Sequence, residues 1–164
     1  ISATLLVALN TTVQPKMTQL YFKHELDELR KVTQKSTKLI FWLSLPIYIL
    51  LFGLAPYIMQ IYGDSFLPGT IPLMIMVIGQ LVNTATGPVA QLLNATGFHK
   101  QFTYMSLMGA FLNIGFNFIL IVPFGIIGAS IAASLSLIIW NLIGVWYIYK
   151  KFGFIIAYFP KFGK

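Results

Sequence analysis

The chain has 164 residues, of which 57% are hydrophobic and only 9% charged, with a net charge of +7 and a mean hydropathy of +0.80. A soluble domain of this size carries about 25% charged residues, so the composition excludes an ordinary water-soluble globule and points to a chain that crosses a membrane several times. A nucleic-acid partner would need the basic residues gathered on one solvated face; here they sit in particular loops, and no nucleic-acid role is expected. There is no cysteine, hence no disulfide and no thiolate metal site.

Residues 1–13 (ISATLLVALNTTV) are apolar but too few to cross a hydrocarbon core that takes roughly 20 helical residues. They read as the tail of a truncated span ended near Pro15, and the absence of an initiator Met makes the sequence look like a C-terminal fragment. Residues 16–38 change character. Leu26, Leu29 and Val32 recur at helical spacing among Glu25, Glu28, Arg30, Lys31 and Lys35, the pattern of an amphipathic helix at a membrane surface. A solvated connecting helix is the simpler alternative. Glu25 and Glu28 lie in a polar loop with no pocket-forming sequence around them, which disfavours acid–base chemistry.

Four full spans follow, at 39–62, 70–96, 101–122 and 126–149, with a tail at 150–164. Pro46 and Pro56 are expected to kink the first span. The turns between spans are Gly63–Gly69, Gly97–Lys100 and Pro123–Gly125. The positive charges test this topology. Lys16, Lys23, Arg30, Lys31, Lys35 and Lys38 precede the first span, Lys100 follows the second, and Lys150, Lys151, Lys161 and Lys164 lie in the tail, which accounts for all 11 Lys and Arg. The alternate turns carry none, and one holds Asp64. The loops therefore alternate strictly, placing the C-terminus in the cytoplasm of a multi-pass cell-membrane protein. Phe41, Trp42, Phe98, Trp146 and Tyr147 at the inner ends, and Tyr57, Tyr62 and Phe66 at the outer ends, suit aromatic belts.

No Lys, Arg, Asp, Glu or His falls within the four spans, so no obvious proton relay or ion site is visible there. No phosphate-cradling glycine loop is present, and the external turns are too short to build a catalytic face. No enzyme activity, metal or cofactor is expected. What remains is uncharged polarity in stripes. Gln80, Asn83, Thr84, Gly87, Gln91 and Asn94 share a face of the second span; Ser106, Gly109, Ala110, Asn113 and Asn117 share one on the third; Ser130, Ser134, Leu137, Asn141 and Gly144 share one on the fourth. Asn83 and Asn113 lie near the bilayer midplane, where an amide facing lipid is costly. For any single amide, helix–helix glue is a sufficient account. The four amides Gln80, Asn83, Gln91 and Asn94 together are more than packing usually needs, and they suggest a hydrated, neutral lumen wall with Asn113, Asn117 and Asn141. Gly125, Ala129 and Ala133 form a small-xxx-small ladder assigned to packing. His99, beside Lys100, reads as a headgroup-level residue rather than a pH switch. The two glycosylation patterns, Asn10-Thr11-Thr12 and Asn94-Ala95-Thr96, lie at cytoplasmic ends of spans and are discounted.

The order QLLNATGFHK, then a span ending FNFILIVPFGIIGASIAAS, resembles the C-terminal part of polysaccharide biosynthesis proteins, the lipid-linked oligosaccharide flippases of the multidrug/oligosaccharidyl-lipid/polysaccharide exporter superfamily. The similarity is carried by Ala95-Thr96-Gly97, Asn113 and Asn117, Pro123, and Gly125-Ile126-Ile127-Gly128-Ala129-Ser130. Upstream, Ile61-Tyr62-Gly63-Asp64-Ser65-Phe66 and Pro15-Lys16 extend it over nearly the whole chain. The resemblance implies an all-α, two-lobed transporter of 12 to 14 helices, of which this chain would be part of the C-terminal lobe. It would turn a polyprenyl-pyrophosphate-linked sugar chain from the cytoplasmic to the outer leaflet by alternating access. Its implied partners are the lipid-linked glycan, membrane lipids and other membrane proteins of polysaccharide assembly. In that family cationic lumen residues are thought to meet the pyrophosphate; the spans here supply none, so that role would fall to the rest of the protein. An ion-coupled multidrug or small-molecule antiporter of the same superfamily is the alternative, disfavoured by the lack of a buried carboxylate. A non-transporting membrane scaffold is a further one.

Overall fold

A computed structural model describes residues 13–158, which are helical throughout their ordered elements, with no strand among them. The expected truncated span and the Asn10 pattern lie outside the described residues. Helix α1 covers 13–22 and ends in a turn at His24, where φ is 60°. Helix α2 then runs unbroken over Leu26–Gly53, so the charged surface segment and the start of the first apolar segment form one rod. At 28 residues it is about 42 Å long, more than a hydrocarbon core requires. Pro46 sits inside it, and the rod ends at Leu54; α3 (Ala55–Ile61) restarts with Pro56 in its first turn, where the missing N–H costs nothing.

A 3-10 turn, Asp64–Gly69, leads into α4 (Thr70–Thr86). The expected second span is not one helix. Gly87 adopts φ 83°, ψ −170°, and Pro88 has no N–H to continue the ladder, so the chain breaks and resumes as the short α5 (Val89–Ala95). Gly87 also packs against the Thr37 side chain, leaving no room for a Cβ. The last helix, α6 (His99–Phe152), has 54 residues, about 81 Å if straight. It is folded in half at Gly125, whose φ of 54° and ψ of −130° are not helical. The two arms run antiparallel. Phe98 meets Tyr147, Phe102 meets Trp140, Asn113 meets Ser136, and Leu120 lies against Gly128. The Pro123–Gly125 turn expected from the sequence is thus the hinge of a tight helical hairpin.

By length and apolarity, three stretches suffice to cross a membrane: Leu26–Gly53, Asp64–Ala95 and His99–Phe152, the last of which is folded into two arms at Gly125. The packing is inverted relative to a soluble protein. Phe111, Phe118, Ile119 and Val122 point outward, with Val122 86% exposed, while Gly128, Ser130, Ala132, Ser134 and Ser136 are buried. Lipid tails are as apolar as these side chains, so no hydrophobic force draws them inward; close approach of small residues and hydrogen bonds hold the helices instead. The buried ladder on the second arm is Gly128, Ala132 and Ser136, facing the first arm. Ala129 and Ala133, expected to pack, are only half-buried. Ser134 lies against Gly79 of α4 and donates to Ile75 O at 3.1 Å. On α2 the buried stripe is Leu29, Thr33, Thr37, Ile40, Phe41 and Ser44, in which Thr33 and Thr37 return their hydroxyls to carbonyls four residues back.

Among the described residues the apolar core gathers at one end of the bundle, where α1, α2, α5, the end of α6 and the tail meet. Met17 and Leu20 of α1, Leu29 of α2, Val89, Leu92 and Leu93 of α5, and Ile148 of α6 enclose Phe154 and Ile156 of the tail. The tail, expected to be a basic cytoplasmic extension, turns at Gly153 and runs extended between α2 and the α4–α5 break. Gln34 Nε2 donates to Ile155 O at 2.7 Å, and Tyr158 N donates to Ala85 O at 2.8 Å. The second bond satisfies a carbonyl that the break frees from its helix.

Candidate functional site

The break in α4–α5 opens a cleft of about 230 Å³ between α2, α4, α5 and the second arm of α6. Its walls carry Gln80, Asn83, Thr84, Gln91 and Asn141, with the rings of Tyr48 and Trp140. Helical spacing places Gln80, Asn83, Thr84 and Gly87 on one face of α4, and the break swings Gln91 round to the same space.

A hydrogen-bond chain organises one wall. Asn83 Nδ2 donates to Gln80 Oε1 at 3.1 Å. The Thr84 hydroxyl donates to Gln80 O at 2.8 Å, which leaves Tyr48 OH as the donor in its 2.9 Å contact with Thr84 Oγ1. The Thr86 hydroxyl lies 2.6 Å from Asn83 O and 3.3 Å from Asn141 Oδ1, and Asn141 Nδ2 donates to Leu137 O at 2.8 Å. Every buried side-chain polar atom among the described residues has a partner. The spare capacity therefore faces the cleft: Gln91 makes no side-chain hydrogen bond among the described residues, and Gln80 Nε2 and Asn83 Oδ1 are likewise free.

The arrangement offers neutral donors and acceptors beside two aromatic faces. Clefts of this make-up, with few polar groups set among apolar and aromatic walls, fix the orientation of a small polar ligand. Among the described residues no group of three or more His, Asp or Glu converges to hold a metal.

Four of the seven amides singled out from the sequence thus line one cleft: Gln80, Asn83, Gln91 and Asn141. Of these, Asn141 is 1% exposed and bonded on both sides, so it also ties α6 to α4. Asn94 is half-buried on α5 and does not line the cleft. Asn113 belongs to the hairpin seam, and Asn117 bonds back to it along the same arm. Asn113 Nδ2 donates to Ser136 Oγ at 3.1 Å, and Asn117 Nδ2 donates to Asn113 O and Oδ1 at 2.8 and 3.0 Å. Tyr48 and Trp140 were not expected as lining residues. The signal was available: aromatics with polar atoms cluster at the ends of spans, and Tyr48 and Trp140 lie away from the ends of theirs. The Gly87-Pro88 dipeptide, a strong breaker, was the signal for the break itself.

These features define a polytopic α-helical membrane protein with a neutral polar cleft between its helices. The sequence signature of the lipid II flippase MurJ family matches residues 2–162, and the chain belongs to that family. It is also similar to a probable low-salt glycan biosynthesis flippase, Agl15, of Haloferax volcanii, with 29% identity over 145 residues. That match covers 86% of this chain but 30% of the relative, so the chain spans about a third of the relative's length. No solved structure matches the chain. The flippase resemblance read from the Ala95-Thr96-Gly97 turn and the Pro123–Ser130 segment agrees with both findings.

Proposed function

We propose that this chain is part of a flippase that turns polyprenyl-pyrophosphate-linked oligosaccharide across the cytoplasmic membrane by alternating access. Membership of the MurJ family and similarity to a glycan biosynthesis flippase support the reading. The observation that carries it is the cleft at the α4–α5 break. A glycan presents many hydroxyls, and Gln80, Asn83 and Gln91 offer uncharged partners whose bonds can exchange as the sugar moves. Tyr48 and Trp140 supply flat apolar faces for the C–H side of a sugar ring. A lumen built this way binds weakly at many positions, which suits passage better than capture.

The clustering of Lys16 to Lys38, Lys100, Lys150 and Lys151 on one side, with Asp64 on the other, supports a cytoplasmic C-terminus in the cell membrane. The protein in this reading transports and does not catalyse a covalent step. Gln80, Asn83 and Gln91 offer the glycan path of this segment, and Asn141 braces its wall by tying α6 to α4. Membrane proteins that assemble the polysaccharide are its proposed neighbours.

The test is reconstitution of the full-length protein in liposomes with a lipid-linked oligosaccharide, following its exposure to an external glycosidase. The wild type should move the lipid, and Asn83→Ala with Gln91→Ala should slow it at unchanged folding. Loss of folding without a specific loss of flipping would favour a scaffold, and unchanged flipping would remove the cleft from the path.

A further inference from the structure

The face of α2 turned away from the cleft has a composition of its own. Thr37, Ile40, Ser44 and Tyr48 look towards α4, whereas Lys35, Lys38, Leu39, Trp42, Leu43 and Pro46 recur three and four residues apart on the opposite side, all exposed. Two cations thus stand at one end of a stripe that is apolar from there on. Beside the cations lies a groove of about 330 Å³ between α2 and the tail, lined by Lys31, Lys35 and Lys38 on the helix and by Ile156, Ala157 and Tyr158 on the tail.

The groove is held in shape. Gln34 fixes Ile155, Ala85 O fixes Tyr158 N, and Trp42 Nε1 donates to Tyr158 OH at 3.3 Å. Having accepted that bond, the Tyr158 hydroxyl keeps its own proton to donate. The charge is also unspent. The chain has four acidic residues, Glu25, Asp27, Glu28 and Asp64, and the one ion pair among the described residues is Lys31 with Glu28 at 2.8 Å. Lys35 and Lys38 have no carboxylate partner there.

We propose that this groove and stripe form a binding site for one anionic phospholipid of the surrounding bilayer. Its phosphodiester sits between Lys35, Lys38 and the Tyr158 hydroxyl, and its acyl chains lie along Leu39, Trp42 and Leu43. A free phosphate would use the cations but leave the apolar stripe idle, whereas a neutral lipid would use the stripe but leave two ammonium groups unmatched. The transported lipid carries a phosphate too, but the stripe faces away from the polar cleft that forms its path. The site therefore stands independently of the flipping reaction.

The experiment titrates detergent-solubilised full-length protein with phosphatidylglycerol and counts bound lipid by native mass spectrometry. Phosphatidylcholine, inorganic pyrophosphate and a polyprenyl pyrophosphate serve as competitors. The double variant Lys35→Gln/Lys38→Gln should raise the Kd for phosphatidylglycerol about 30-fold, the product expected when two lysines near an anionic headgroup are lost. Phosphatidylcholine and inorganic pyrophosphate should not displace the lipid. The charge-matched control Lys23→Gln/Arg30→Gln, on exposed cations away from the groove, should leave the Kd within a few-fold of wild type. Equal losses in the two double variants would mean diffuse attraction and overturn the site. Wild-type affinity in Lys35→Gln/Lys38→Gln would overturn it as well. Displacement by inorganic pyrophosphate or by the polyprenyl pyrophosphate would assign the groove to a free phosphate or to the transported lipid, and would equally refute the proposal.

Discussion

Replacing Gly128 with alanine tests whether α6 is a hairpin held by contact between its arms. A Cβ at Gly128 would collide with the carbonyl oxygen and carbon of Leu120 on the opposite arm. The obstacle is backbone, so no rotamer change relieves it; the arms must separate near the Gly125 turn. Overpacking of this kind costs about 1–3 kcal/mol, and an immovable neighbour places the substitution at the upper end. Alanine is the better helix former by about 1 kcal/mol, which leaves a net loss of about 2 kcal/mol, a shift of about 30-fold in the unfolding equilibrium. Gly115 supplies the control. It lies in the first arm of the same hairpin with nothing within 4 Å of its would-be Cβ, so Gly115→Ala should gain up to about 1 kcal/mol from propensity alone. The assay is reversible unfolding of the purified protein in mixed micelles, followed by tryptophan fluorescence, since Trp140 packs against Phe102 and Gly109 within the hairpin. Equal stabilities for Gly128→Ala and Gly115→Ala would refute the hairpin packing described above.

Three further outcomes follow from the same contacts. Gly87→Ala should destabilise the chain by more than about 1–2 kcal/mol, because a left-handed φ carries that strain for an L-residue and the Thr37 side chain occupies the space; adding Thr37→Ala should recover the steric part and leave the strain, as read by the same unfolding curve. Asn113→Ala removes the hydrogen bond to Ser136 and the Oδ1 acceptor of Asn117, which keeps Asn113 O, and should cost about 0.6–2 kcal/mol, with flipping by the folded fraction unchanged. Ile156→Ala, at a fully buried position of the core at the basic end, should cost about 2–4 kcal/mol and expose the tail to limited proteolysis before the helices.

The helical character and the chain reversals at Gly97 and Gly125 were legible because they depend on hydropathy and on glycine as a breaker, although His99 and Lys100 already belong to α6. The hinge at Gly125 coincides with the expected turn for the same reason. The seam register was not legible. Gly125–Ala129–Ala133 and Gly128–Ala132–Ser136 have the same small-residue spacing, and only the rotation imposed by the hinge decides which ladder faces the first arm. The amide stripes illustrate a similar limit. Gln80, Asn83 and Asn113 look alike in sequence, yet Asn113 finds Ser136 across the hairpin while the Gln80 amide keeps open capacity. What separates glue from lumen is the partner on the neighbouring helix. The packing of the tail was hidden for another reason: Phe154 and Ile156 are buried at a two-residue period within a basic, aromatic composition that masks it.

The central claim is that the α4–α5 cleft is part of the glycan's path, and one measurement addresses it most directly. Asn83→Cys, in full-length protein made otherwise free of cysteine, is labelled in proteoliposomes with a membrane-impermeant maleimide. Labelling should proceed at a rate typical of a hydrated site, and a lipid-linked oligosaccharide should slow it while the same lipid without sugar should not. A thiol that never labels, or one whose labelling ignores the glycan, would contradict the claim and return Asn83 to helix packing.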